Sequence, residues 1–385
     1  MKKLFNNFIF KLVIAVLIGV LIGTYSSTNL IQIISTIKYV LGQIIFFSIP
    51  LIILGFIAPS ISKLKGNASK LLSYAVVIAY SSSVFAAIFS MFAGYSIIPK
   101  LSIISNNTVT KKLPELLFKL DIPPIMSVMS ALILALFLGL ATAWTKSDLV
   151  EKLLEQFQNI ILSIVEKIII PILPLFIATN FACLAYEGGI SKQLPIFFKV
   201  VIIVIIGHFI WLTILYSIAG IISKENPWQV FKNYGPAYFT AVGTMSSAAT
   251  LPVALKCAKK SKIITKDIVD FAIPLCSNIH LCGSVLTEVF FIMTVSQILY
   301  GNLPNISTMI LFIVLLGIFA IGAPGVPGGT VMASLGLITG ILGFNEAGTA
   351  LILTIFALQD SFGTACNVTG DGAIALMLTR IRSKK

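Results

Sequence analysis

The first half of the chain is a series of long apolar stretches separated by short polar or basic segments. A charge-poor stretch of about 20 residues is long enough to cross a bilayer as a helix. The pattern predicts helices at about 8–26, 31–57, 70–95, 122–143, 155–185 and 195–222. The segment at about 97–120 contains SNNTVTKKLPE, and its polarity predicts an external loop. The short alternating segments of a membrane barrel do not occur in the sequence.

The apolar pattern changes after Lys224, where two segments are interrupted in their middle. YFTAVGTMSSAATLPVALKCAKK is broken by small hydroxyl residues and a proline, and IFAIGAPGVPGGTVMASLG is broken by glycines and prolines. Each half is too short to span alone, and non-helical backbone at membrane depth persists only in protein or beside a watery cavity. The pattern therefore predicts two re-entrant hairpins around a midplane site, as in transporters with inverted repeats. Two kinked spanning helices are the alternative.

The composition narrows the class of protein. The 385 residues are 57% hydrophobic and only 11% charged, so we expect an all-α polytopic membrane protein. The basic start and apolar body of MKKLFNNFIFKLVIAVLIGVLIGTYSS resemble a signal peptide, but no small-x-small cleavage site follows. We therefore expect an uncleaved first span.

The net charge of +13 does not indicate a nucleic-acid partner, because the basic residues cluster beside the spans. These clusters are Lys2 and Lys3, Lys63 to Lys70, Lys256 to Lys266, and Arg380 to Lys385. The positive-inside rule predicts that these ends, and with them both termini, lie in the cytoplasm. We expect the protein in the cytoplasmic (inner) membrane. The loop around Lys111 and Lys112 is the exception.

The sequence offers little support for an enzyme or a cofactor. The five cysteines are odd in number and lie mostly in apolar segments, so we expect free, buried thiols. Neither G-x-S-x-G nor H-E-x-x-H occurs, and there is no phosphate-binding glycine loop. The spacing of Cys276, His280 and Cys282 matches no zinc or copper pattern. His208 is expected to be structural.

Acidic residues in the last apolar run carry the main functional hypothesis. Asp360, Thr364, Asn367 and Asp371 are spaced by four, three and four, so on a helix they form one polar stripe. No Lys or Arg occurs between Lys266 and Arg380 to neutralise the two carboxylates. Intramembrane acids are costly and normally face a partner, so a metal ion, a proton or a substrate ammonium group is expected. Oxygen ligands suit Na⁺, and a purely structural carboxylate is the alternative.

Three motifs resemble those of one known family. NVTGD at 367–371, S-S-x-x-TLPV at 246–253 and GAPGVPGG at 322–329 look like those of the dicarboxylate/amino-acid:cation symporters, the glutamate-transporter homologues. Their order and spacing agree from about Tyr234 to Arg380. The resemblance implies eight transmembrane helices and two re-entrant hairpins, assembled as a homotrimer whose transport domains move like elevators past a static scaffold.

The resemblance also implies a division of the chain. Its parts are scaffold helices at 1–65, a transport-domain helix at 66–97, an external loop and scaffold helices at 98–190, and a transport core at 191–385. Within that core it implies helix 6, hairpin 1 at about 228–258, helix 7 at about 268–300, hairpin 2 at about 305–342, and helix 8 at about 346–382.

Functional residues follow from the same resemblance. Asp360 would bind the substrate amino group and Asn367 the substrate carboxylate, while the second hairpin acts as the gate. The implied substrate-binding positions are Asp360, Gly363, Thr364, Asn367, Ser246, Ser247, Gly325 and Val326. A Na⁺ site is implied at the carboxylate of Asp371 with backbone carbonyls of Asn367, Cys276 and His280.

Two departures from the family pattern change the expected substrate and ions. Members that carry acidic substrates have an arginine where this chain has Gly363, and Met245 at the first hairpin supplies no cation either. A buried dicarboxylate would lack compensation, so we expect a small neutral amino acid. In the seventh helix, the family's Asn-Met-Asp-Gly-Thr is replaced by His280-Leu281-Cys282-Gly283-Ser284. The second cation site, with Ser82, Ser83 and Ser284, is therefore expected to be weak.

Glu288 lies one turn beyond Ser284, where proton-coupled family members have a titrating glutamate. A buried carboxyl can take up and release a proton, so Glu288 or His280 is a candidate proton carrier. The sequence thus predicts a Na⁺- and/or H⁺-coupled symporter or exchanger of small neutral amino acids that needs no cofactor. An acidic amino acid or dicarboxylate symporter and a passive channel are the alternatives.

Overall fold

The long apolar stretches of the first half form helices in the computed structural model, which describes residues 8–62, 70–101, 111–188, 190–323 and 328–383. These helices are α1 (Phe8–Tyr25), α2 (Thr28–Ser62), α3 (Lys70–Ile97), α4 (Val128–Thr145), α5 (Asp148–Ile164), α6 (Ile170–Tyr186) and α7 (Ile190–Ser223). A π-helical turn at Val165–Ile169 joins α5 to α6 into one continuous span. The described residues contain no strand, which confirms the all-α prediction.

Two helix starts differ from the sequence-based prediction because capping residues set them. The helix predicted from about 122 begins at Val128, where the side chain of Ser127 accepts a hydrogen bond from Ser130 N. The helix predicted from about 155 begins at Asp148, where Ser147 caps Val150 N in the same way. A serine at the N-cap satisfies a backbone N–H that the helix itself leaves open, and apolar periodicity does not report it.

The first interrupted segment folds into a hairpin after the short helix α8 (Trp228–Phe231). Its arms are α9 (Gly235–Thr244) and α10 (Ser247–Lys259), which pack against each other. Met245 has a left-handed backbone with φ 52°, and the extended Ser246 caps α10 by accepting from Ala249 N at 3.2 Å. The chain therefore reverses between the arms, and a single kinked helix is ruled out here.

The second interrupted segment also has two helical arms that pack on each other, α13 (Ile306–Gly322) and α14 (Gly329–Gly340). Gly328 precedes α14 with φ 72°, a conformation that glycine adopts without steric cost. The implied tip residues Gly325 and Val326 lie outside the described residues.

A broken helix and the last helix form the core between these hairpins. The broken helix consists of α11 (Lys266–Ile279) and α12 (Cys282–Tyr300), interrupted at His280 and Leu281. Helix α15 (Glu346–Ser383) packs along α12 and also contacts α7, α9 and α11. The apolar window of the broken helix is wholly buried inside the protein. The break in α11–α12 therefore faces the middle of α15 in the most enclosed part of the fold.

The outer helices present apolar side chains outward. Leu17 on α1 is 58% exposed, and Phe137 on α4 and Phe198 on α7 are each 68% exposed. Six helical stretches among the described residues are long and apolar enough to cross a membrane. Exposed apolar surface on this scale fits contact with lipid, as expected of a multi-pass membrane protein.

Candidate functional site

The polar stripe predicted from the sequence lies on α15 and is almost completely buried. Its members Asp360, Thr364, Asn367 and Asp371 are all at most 5% exposed. The stripe faces the break between α11 and α12 and the start of α14 in the second hairpin, as its hydrogen bonds show. Three chain segments far apart in sequence thus meet around it.

Among the residues that the structure describes, Asp360 is bound by two neutral donors from different elements. Gly328 N, at the start of α14, donates to Asp360 Oδ2 at 2.6 Å. Ser284 Oγ donates to Asp360 Oδ1 at 3.5 Å, which is a long and weak hydrogen bond. Neither donor carries a charge, so the carboxylate retains a need for a cationic partner. The bond to Gly328 also places the second hairpin directly against this carboxylate.

Asn367 holds the start of α12 against α15. Its Oδ1 accepts from Gly283 N at 2.7 Å and from Ser284 N at 3.2 Å, and its Nδ2 donates to Ser284 Oγ at 2.9 Å. These contacts satisfy backbone N–H groups that the first turn of a helix leaves without internal partners. The other N–H of the amide has no acceptor among the described residues, and the implied role toward a substrate carboxylate stays a prediction.

The backbones of α12 and α15 approach closely at two glycines. A Cβ on Gly363 would lie 3.2 Å from Ser284 Cα and 3.3 Å from Ser284 Oγ. A Cβ on Gly283 would collide with Cys366 Cβ and Gly363 O. At the position that holds an arginine in acidic-substrate carriers, even a Cβ is therefore tightly packed, and a larger side chain would require Ser284 to move.

Asp371 contacts the side chain of His280, whereas the Na⁺ site implied by the family resemblance used only the backbone carbonyl of that residue. His280 Nδ1 lies 2.9 Å from Asp371 Oδ1, and the other ring nitrogen lies 2.9 Å from Ser82 Oγ on α3. The ring and the carboxylate are both buried, with exposures of 0% and 1%. Of the implied carbonyl ligands, Cys276 O already accepts from His280 N at 2.9 Å. In the sequence, the histidine at 280 in place of the family's asparagine marked this position as unusual, but it did not indicate that the side chain would contact Asp371.

The three serine hydroxyls of the expected weak cation site each form hydrogen bonds with other protein groups. Ser82 Oγ contacts the His280 ring, and Ser83 Oγ accepts from Leu281 N at 3.3 Å. Ser284 Oγ accepts from Asn367 and donates toward Asp360. These residues therefore fit a bound cation poorly, since no carboxylate of the described residues contacts all three hydroxyls.

Glu288 reaches the second hairpin. Ser334 Oγ on α14 donates to Glu288 Oε1, whereas Oε2 is buried with no hydrogen-bond partner among the described residues. The side chain is fully buried. Protonation would supply a donor and remove the buried charge, so the arrangement fits a proton-carrying carboxyl.

His208 packs against the same part of α12. Its Nε2 lies 3.1 Å from Gly283 O and 2.9 Å from Thr287 Oγ1. Within the part of the chain that the structure describes, neither contact involves a carboxylate of the stripe, and the expected structural role stays a prediction.

The first hairpin supplies the remaining implied positions. Ser246 is half-buried at the tip and caps α10, and Ser247 is 4% exposed. Thr244 Oγ1 and Thr250 Oγ1 lie 3.1 Å apart beside them, so the tip is rich in hydroxyls. The substrate role implied for Ser246 and Ser247 stays a prediction.

Comparison with known proteins places these features in one family. The family model described as the sodium:dicarboxylate symporter family matches residues 8–381. Excitatory amino acid transporter 2 of Homo sapiens is 28% identical over 247 residues, which is 62% of this chain and 42% of the relative. Excitatory amino acid transporter 1 of Rattus norvegicus is 29% identical over 185 residues, which is 48% of this chain and 33% of the relative. The aligned part thus spans less than half the length of these curated relatives.

Proposed function

The chain belongs to the sodium:dicarboxylate symporter family, and from this membership we propose that it is a secondary active transporter of small neutral amino acids. Transport would be coupled to Na⁺, H⁺ or both, as symport or exchange. The observation that carries the proposal is Asp360, a buried carboxylate whose donors among the described residues are uncharged and which lies against the second hairpin.

A zwitterionic amino acid complements the groups around Asp360. Its ammonium group would supply the charge that the Gly328 N–H and the Ser284 hydroxyl lack. Its carboxylate would accept the remaining N–H of Asn367 and the polar groups of the first hairpin tip around Ser246 and Ser247. Both ends of the substrate would then be paired inside the protein, which the cost of burying charge requires.

The close approach at Gly363 supports a substrate with a small uncharged side chain. An acidic side chain would need a cation, and α15 offers none between Glu346 and Thr379. The contact between Gly363 and the Ser284 backbone also narrows the space on this side of the site. An acidic substrate would therefore bury a second anion beside Asp360 without compensation.

Coupling ions would be transported with the amino acid. Asp371 Oδ2 and the backbone carbonyls of Asn367, Cys276 and His280 would hold a Na⁺, since hard oxygen ligands suit that ion. Glu288 would carry a proton, and its protonation would change its hydrogen bond with Ser334 on the second hairpin. The proton-carrying alternative His280 is bound on both ring nitrogens.

The remaining architecture is proposed from the family. Residues 1–65 and 98–190 would form a static scaffold in a homotrimer, and 66–97 with 191–385 would form the moving transport domain. The protein would lie in the cytoplasmic membrane with both termini in the cytoplasm, in agreement with the basic clusters beside the spans.

Uptake into proteoliposomes tests the proposal. Purified protein is reconstituted, a Na⁺ or H⁺ gradient is imposed, and labelled alanine, serine, threonine, cysteine, aspartate and glutamate are compared. We expect gradient-driven uptake of the neutral amino acids. Good uptake of aspartate or glutamate without the neutral set would refute the Gly363 reasoning. A carrier also gives trans-stimulated counterflow, which a channel cannot produce.

A further inference from the structure

The His280 side chain bridges two elements at the deep end of the polar stripe. One ring nitrogen contacts Asp371 Oδ1 on α15, and the other contacts Ser82 Oγ on α3, each at 2.9 Å. Nδ1–H donates to the carboxylate whether or not Nε2 carries a proton, because Nε2 can either accept from or donate to the hydroxyl. The bridge is therefore available in both protonation states of the ring.

Helix α15 has a recess that accommodates this ring. A Cβ on Gly370 would lie 2.7 Å from His280 Cε1 and 3.4 Å from Cys282 Sγ. Any side chain at position 370 would therefore displace the imidazole. The ring is 0% exposed, so its position is fixed by packing as well as by its two hydrogen bonds.

The ligands around the ring do not form a cation site of their own. The Ser83 and Ser284 hydroxyls have other partners, and Cys282 supplies a thiol in place of an oxygen ligand. Na⁺ prefers several oxygen ligands with at least one carboxylate. Among the described residues, Ser82 is linked to the Asp371 carboxylate through the His280 ring, which occupies Asp371 Oδ1.

We infer that the His280 side chain permanently replaces a coupling cation: it joins Ser82 to Asp371 where an ion would otherwise join them. Of the two cation sites implied by the family resemblance, the one at Asp371 Oδ2 then remains open to Na⁺, and the second is filled by protein. This inference rests on the proposed function. Its consequence is that adding a carboxylate beside the ring does not create a site unless the ring is also removed.

Equilibrium binding of ²²Na⁺ tests this inference without measuring transport. The purified full-length protein in detergent, without substrate, is compared with Cys282→Asp, with His280→Asn, and with the double variant. We expect Cys282→Asp to bind as many Na⁺ ions per chain as the wild type, because the ring remains in place. The double variant should bind an additional Na⁺. His208→Gln, which alters a buried histidine away from Asp371, should leave the number unchanged.

Two results would overturn the inference. One is an additional Na⁺ in Cys282→Asp alone, and the other is no additional Na⁺ in a double variant that elutes as a monodisperse peak. If the double variant does not fold, His280→Asn alone decides, since it frees Ser82 and Asp371 Oδ1. Na⁺ should then raise its thermal stability more than that of the wild type, and an unchanged Na⁺ effect would refute the idea. Failure of amino-acid uptake with the expected Na⁺ counts would instead refute the proposed function.

Discussion

Replacing Gly283 with alanine should push α12 away from α15 and destabilise the protein. The new methyl group would collide with Cys366 Cβ and Gly363 O, and it would lie 3.0 Å from Cys366 Sγ. The first two of these atoms belong to backbone or lie next to it, so they cannot move aside as the end of a flexible side chain can. The start of α12 would have to shift instead.

The expected cost combines two effects. Overpacking a well-packed interior by one methyl group costs about 1–3 kcal/mol. The shift also weakens the 2.7 Å hydrogen bond from Gly283 N to Asn367 Oδ1, and a buried group that loses its partner costs about 1–3 kcal/mol. Alanine lowers the entropy of the unfolded chain, which returns about 0.4–1 kcal/mol. We expect a net loss of free energy of unfolding of about 1–5 kcal/mol from these ranges.

Thermal unfolding in detergent measures this loss, and Gly243→Ala is the matched control. A Cβ on Gly243, in the last turn of α9, meets nothing within 4 Å, so its substitution should be neutral or slightly stabilising. Gly283→Ala should lower the unfolding midpoint by a few degrees, at about 1 °C per kcal/mol for a chain of 385 residues. A midpoint equal to that of the wild type would show that α12 and α15 are not in this close contact.

Three further changes test other parts of the structure. Asp360→Asn should weaken substrate binding roughly 10–100-fold, because it removes a charge-assisted hydrogen bond to the substrate ammonium group. Ser361→Ala should leave the affinity unchanged. An unchanged affinity in Asp360→Asn would exclude the ammonium assignment. Glu288→Gln should make the uptake rate independent of pH, measured in proteoliposomes from pH 5 to 8; an unaltered profile would remove Glu288 as proton carrier. Asp270→Asn breaks the 2.7 Å ion pair between Asp270 and Lys259, whose side chains are 46% and 45% exposed. Because exposed ion pairs contribute little, thermal unfolding should show a loss in the free energy of unfolding of under about 1 kcal/mol.

Much of the fold could be predicted because membrane helices depend on local sequence. A long apolar stretch must satisfy its own backbone in a bilayer, so length and composition suffice to locate a helix. The hydroxyl run at Ser246 and the glycines around Gly328 likewise marked the two breaks. Helix starts at Val128 and Asp148 were missed, because serine caps at the preceding residues set them.

The candidate site was predicted less completely, because its chemistry depends on which segments touch. Helical spacing placed Asp360 and Asp371 on one buried stripe, and a helix period is a local property. Helical spacing gave no indication that Gly328 N would donate to Asp360 or that Asn367 would cap α12.

The sequence by itself therefore determined the membrane class, the helices, the two interruptions and the buried acids that need partners. Only the tertiary structure decided what those partners are. His280 and Asp371 are 91 residues apart, and their contact exists because α12 and α15 pack closely enough for the ring to enter the recess at Gly370. Such contacts arise from the relative position of whole helices, which no periodicity within one segment specifies.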